Sequence, residues 1–138
     1  MMKHLLSAFV AVTTLSAMTP AFAQDPADAG RELPAICKTQ MQMGMPMKMD
    51  MTGMDQAHQD LMKGMDSSNA NMMQGMTASD IDVAFVCGMI AHHQGAIDMA
   101  MAELAHGEDT WAKSMAQKVI DAQEKEIADM LDWLSKQK

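Results

Sequence analysis

The side chains best suited to chemistry in this chain are thioethers and imidazoles. Of 138 residues, 20 are Met, and they are not evenly spread. Met41, Met43, Met45, Met47, Met49 and Met51 occupy every second position, and Met54 follows. A thioether is neutral and soft, so it selects Cu(I) over hard divalent ions. It binds without losing a proton. Spacings of M-x-M and M-x-x-M let two or three sulfurs wrap one ion of low coordination number. Asp55 and His58 lie just beyond the tract. Two other readings stay open, an oxidant sink, since thioethers oxidise reversibly, and compositional drift.

A second constellation stands later in the chain. Met89 precedes His92 by three residues and His93 by four, and Met99 follows. On a helix these spacings bring Met89 beside both rings. The bland reading of His93 is a core imidazole bonded to a carboxylate, which is how buried polar groups are normally satisfied. The adjacent His92, the nearby thioethers and the upstream tract favour a metal role instead. Met101, Met115 and Met130 taken alone read as core filler.

The elements that must carry these groups are helical. One helix is predicted over Ala78–Ala105, with Thr77 and Asp80 as a capping pair and Gly107 as its stop. A second is predicted over Thr110–Ser135, with Glu108 and Asp109 at its start, where the helix dipole favours acids. The connection is only a few residues, so the two helices run antiparallel. On a helical wheel, Phe85, Val86, Met89, Ile90, Ala96, Ile97, Ala100, Met101 and Leu104 share one arc of the first, with His93 near its middle and His92 at its edge. Trp111, Met115, Val119, Ala122, Ile127, Met130, Trp133 and Leu134 share an arc of the second, and Gln123 and Glu126 fall inside it. A polar group facing a core needs a partner, so His93 and Glu126 are expected to pair. A third, looser helix is expected over Asp55–Met76, weakened by Gly64, Gly75 and the Ser67-Ser68-Asn69 run. A four-helix bundle would then be completed by two hairpins in a homodimer, or by one chain with its weak helix.

Upstream, Gly44, Pro46 and Gly53 argue against helix in the Met tract, and no second strand is available to pair with it. An extended, flexible segment is expected over residues 24–54, with Gln24–Cys37 as a linker. Lys3 and His4, the apolar run Leu5–Ala17 and the Ala21-Phe22-Ala23 pattern read as a secretory signal peptide over 1–23. The apolar run is short of the roughly 20 residues that span a bilayer, so no membrane span is expected after cleavage. The formal charge of −8 argues against nucleic acid as a partner. Few aromatics and no Tyr argue against a β-sandwich. In an oxidising compartment Cys37 and Cys87 could pair or serve as soft ligands, and both readings stay open.

The string Met89-Ile90-Ala91-His92-His93-Gln94-Gly95-Ala96-Ile97-Asp98-Met99-Ala100, followed by the block Ala122 to Leu134, resembles the DUF305 family. The resemblance covers about Asp80 to Leu134. It implies a ferritin-like helical bundle of exported proteins, several of them linked to copper binding and copper resistance. Carried over by position, it points to Met89, His92, His93 and Met99, with Gln123, Glu126 and Met130 from the second block. Cys87-Gly88 departs from the residues expected just before the first block. No di-iron oxidase is expected, because the Glu-x-x-His pairs of such enzymes are not read in this chain.

The expectation is therefore an all-α protein, an antiparallel helical hairpin or bundle of ferritin-like four-helix type over 55–138. It would be a periplasmic or secreted, non-enzymatic copper-binding protein. Its cargo would be Cu(I), with imidazole admitting Cu(II) and Ag(I) competing. The Met41–Met54 thioethers and the Met89, His92, His93, Met99, Glu126 and Met130 patch would hold the ion. A copper exporter or copper chaperone would be its partner. The alternatives are a metal-free helical interaction module, a methionine oxidant sink and, less favoured, a copper oxidase.

Overall fold

The computed structural model describes residues 31–38 and 50–138. The signal-peptide reading and Met41, Met43, Met45, Met47 and Met49 fall outside them. Three long helices follow one another, α1 over Gln56–Gly75, α2 over Ile81–His106 and α3 over Thr110–Ser135. A short 3-10 turn, Ala35–Cys37, precedes them. Among the described residues there is no strand, and no helix is long and apolar enough to cross a membrane. The bundle is all-α as expected, but it has three helices among these residues rather than four.

Each helix begins on an aspartate. Asp55 accepts from the backbone N–H of His58, Asp80 from those of Asp82 and Val83, and Asp109 from that of Ala112. These bonds satisfy N–H groups that a helix start leaves without partners. The expected start of α2 is therefore corrected. Asp80, not Thr77, is its cap, and the Thr77 hydroxyl donates to the Gln74 carbonyl in the preceding turn. Thr110–Ser135 stands as expected, and Ser67-Ser68-Asn69 does not interrupt α1.

The middle helix organises the rest. Both α1 and α3 pack on α2, and they barely touch each other. A helix covered on two sides has apolar or small residues most of the way round, whereas an outer helix has one apolar stripe. This is why the single arc expected for α2 is wrong in part. Val83, Ala84, Cys87, Gly88, Ala91, Gly95 and Ala102 are buried too, while Phe85 and Met101 are exposed. On α3 the core is made by Ala116, Ile127 and Leu134, and Trp111, Met115 and Trp133 lie exposed.

The two interfaces of α2 are built differently. Glycines line the one with α1. A Cβ on Gly75 would stand 2.8 Å from the backbone carbon of Cys87, and one on Gly88 would stand 2.9 Å from Cγ of Met76. Gly64 meets Asp98, and Gly95 meets Ser68, in the same way. The glycines that weaken α1 by propensity thus let two backbones approach closely.

Residues 31–38 are packed rather than free-standing, although the sequence reads them as part of a linker. Leu33 and Cys37 are buried. Arg31 donates to Asp98 of α2 at 2.8 Å, and Asn71 of α1 donates to the Arg31 carbonyl at 3.1 Å. Cys37 and Cys87 form a disulfide, with Cα atoms 5.6 Å apart. That settles the alternative left open by the sequence: neither sulfur is a free thiol ligand.

Candidate functional site

His93 sits at the centre of the α2–α3 interface, only 6% exposed. Its Nε2 stands 2.6 Å from Oε2 of Glu126. A carboxylate only accepts, so Nε2 carries the proton and donates. In the neutral ring the lone pair then rests on Nδ1, which is buried and has no hydrogen-bond partner. A carboxylate behind an imidazole fixes its tautomer and ring plane. That is the arrangement of an imidazole prepared to donate a lone pair. The amide oxygen of Gln123, one turn earlier on α3, is also buried without a partner.

The other expected site residues divide between faces. His92 is exposed, and its ring meets that of His93 edge-on, centroids 5.8 Å apart. Met89 and Met99 are half-buried. Met99 lies seven residues, about two turns, beyond His92 and shares its outer face, whereas Met89 lies four before His93 and leans to the α3 side. The expected single patch is therefore two half-patches. Met130 packs against the core beside the His93 interface. The Glu126 side chain is 58% exposed although its Oε2 reaches inward, so it acts on His93 from the rim and does not sit within the apolar arc. Met51 is half-buried and Met54 exposed, both just before α1.

A second group of imidazoles lies at the far end of the bundle. His106, on the last turn of α2, donates through Nε2 to Asp60 of α1 at 2.9 Å. His58, on the first turn of α1, donates through Nδ1 to Asp55 at 2.9 Å. The Asp60 carboxyl is held below the ordinary carboxylate range, chiefly by the bond from His106 and then by that from Gln56. The Asp55 carboxyl is held down by the backbone N–H of His58 and then by its ring. The sequence reading missed His106 altogether. A usable signal existed. The short link between α1 and α2 makes them antiparallel, which sets the start of α1 beside the end of α2. Glu103 and His106 also form one Glu-x-x-His spacing, so that reading is corrected: the motif is present, though single rather than paired.

Among the described residues no three His, Cys, Asp or Glu side chains converge at metal-holding separation. What the protein presents is carboxylate-backed imidazoles on an antiparallel helical bundle, one of them buried with a bare nitrogen. The family model described as "Domain of unknown function (DUF305)" matches residues 2–134, and the chain belongs to that family. No curated protein matches it.

Proposed function

We propose that this protein binds copper, chiefly as Cu(I), and sequesters it or passes it on in the periplasm. The observation that carries the reading is the His93 imidazole. It is buried, backed by Glu126 and bare at Nδ1, on a helix that bears thioethers at Met89 and Met99. Leaving a buried polar atom without a partner costs about 1–3 kcal/mol, a cost that a soft ion at Nδ1 would offset. In this reading Glu126 orients His93 rather than ligating the ion, and Met89 and Met130 supply sulfur from α2 and α3. His92 and Met99, on the outer face, and the Met41–Met54 thioethers would load and exchange the ion at lower affinity. Ag(I) would compete, being equally soft, and Cu(II) would favour the imidazoles. The acceptor would be a copper exporter or a copper chaperone, and the role would be resistance. The Cys37–Cys87 disulfide supports an oxidising compartment.

A competition titration with a chromogenic Cu(I) chelator, run anaerobically, tests this reading. At least one Cu(I) per chain is expected, with little Zn(II) taken up in parallel. Failure to compete with the chelator overturns it. A second reading, a metal-free interaction module or a homodimer, draws on exposed Ile81, Phe85 and Trp111, which are 80%, 65% and 71% exposed. Sedimentation of the metal-free chain tests that one.

A further inference from the structure

We infer that the cleft between the start of α1 and the end of α2 is a separate site for a borderline divalent transition-metal ion, Cu(II) foremost. Ala57, His58, Leu61, Ala102, Glu103, His106 and Gly107 line a cavity of about 170 Å³ there. It lies at the opposite end of α1 from the Gly75–Cys87 contact. It also belongs to the α1–α2 pair, while His93 and Glu126 belong to α2 and α3.

The donor chemistry differs from that of the thioethers. Two imidazoles and a carboxylate suit divalent copper, which also leads the divalent series in affinity. Both rings are backed by an aspartate, His58 through Nδ1 to Asp55 and His106 through Nε2 to Asp60. In each neutral ring the other nitrogen, Nε2 of His58 and Nδ1 of His106, then carries the lone pair. Outer carboxylates of this kind accompany metal-ligating histidines. Glu103 precedes His106 by three residues, so carboxylate and ring rise from the same face of α2. Gly107 makes room for that carboxylate, because a Cβ there would overlap Oε1 of Glu103.

The three side chains do not converge as placed, so the ion gathers them. His58 is free to do this, since its side chain is 68% exposed on the first turn of α1. Asp55 also accepts from the backbone N–H of His58, which keeps the carboxylate in place behind Nδ1. Binding thus clamps the first turn of α1 to the last turn of α2. A divalent site and the Cu(I) reading stand on different residues, and each can fail alone.

The test is Cu(II) titration of the untagged full chain, followed by electron paramagnetic resonance of the first equivalent. Superhyperfine splitting from two imidazole nitrogens is expected. His58→Gln should lower Cu(II) affinity at least tenfold and leave splitting from one nitrogen. The metal-free melting temperature should move little, because the only side-chain bond lost is the exposed one to Asp55 within the same helix end, and the backbone N–H of residue 58 still caps it. Asp60→Asn should weaken binding about ten- to a hundredfold, as outer-carboxylate changes do. Glu103→Gln should alter the copper spectrum without loss of nitrogen splitting. Wild-type affinity and an unchanged spectrum in His58→Gln overturn the site. So does a first equivalent with no two-nitrogen signature.

Discussion

The two interfaces of α2 make an instructive contrast. Toward α1 the contact is glycine against backbone at Gly75 and glycine against side chain at Gly64, Gly88 and Gly95, with Arg31–Asp98 and the Cys37–Cys87 bond fastening residues 31–38 beside it. Toward α3 it is side chain against side chain, with Ile127, Leu134 and Met130 around a buried imidazole. Close backbone approach leaves no room for a polar side chain to reorient. A side-chain interface with polarizable sulfur does leave room, and the bare nitrogen lies there. Along most of its length the α1 face of α2 therefore holds the bundle together and opens only at its last turn, in the His58–His106 cleft, while the α3 face carries the buried imidazole. The difference teaches that the same helix can be rigid on one side and adaptable on the other.

Opening the disulfide tests the rigid side hardest. Cys37 and Cys87 are 50 residues apart, and chain entropy puts such a bridge at about 4 kcal/mol. Cys37→Ser with Cys87→Ser should lower urea stability by up to that amount. A much smaller loss would mean that residues 31–38 are held mainly by Leu33 and Arg31.

Gly75→Ala comes next and gives the sharpest sign. In an exposed helix interior the change would gain up to about 1 kcal/mol. Here the new methyl meets the backbone of Cys87, which cannot rotate away. A net loss of about 1–3 kcal/mol is expected, as for overpacked cores. Stabilisation in a denaturation curve would break the contrast, because α1 could then move.

Glu126→Ala probes the adaptable side. It strands the Nε2 proton of His93 and should cost about 1 kcal/mol, the low end for a buried orphan, since the carboxylate is more than half exposed. Its larger effect should be on Cu(I) affinity, about ten- to a hundredfold by the precedent of outer carboxylates. Equal stability and equal affinity would leave His93 as an ordinary core residue.

The smallest effect is acid sensitivity at the start of α1. Asp55 and Asp60 have depressed folded-state values. Their contribution is full above the ordinary carboxylate range, near 4, and is lost as pH falls through the depressed values. Acid titration by far-UV circular dichroism should show α1 fraying from its first turn, and Asp55→Ala should fray it already at neutral pH.

Much of this architecture is legible in the sequence, for reasons that differ by element. The bounds of α3 follow from Asp109 at one end and a continuous periodic pattern to Ser135. The His93–Glu126 pair follows from a buried imidazole that needs a carboxylate from the facing helix, although Glu126 meets it from the rim rather than from the apolar arc. The packing of α1 does not follow in the same way, because propensity scores Gly64 and Gly75 as weakness and says nothing of a close neighbour. The exposure of Phe85 and Met101 escapes because a wheel assumes one buried face, and α2 has two. The cleft at His58 and His106 escapes because its members lie 48 residues apart in the chain, and only the antiparallel pairing of α1 and α2 joins them.

The bridge between Cys37 and Cys87 has a topological consequence. It closes a covalent ring that contains the alternating methionines and the whole of α1. A single protease cut anywhere in that ring cannot release a fragment. The nicked chain would keep its mass under non-reducing conditions and fall into two pieces only when a reductant is added. Whatever the methionines hold stays leashed to the bundle through both ends, so one broken peptide bond does not set it adrift.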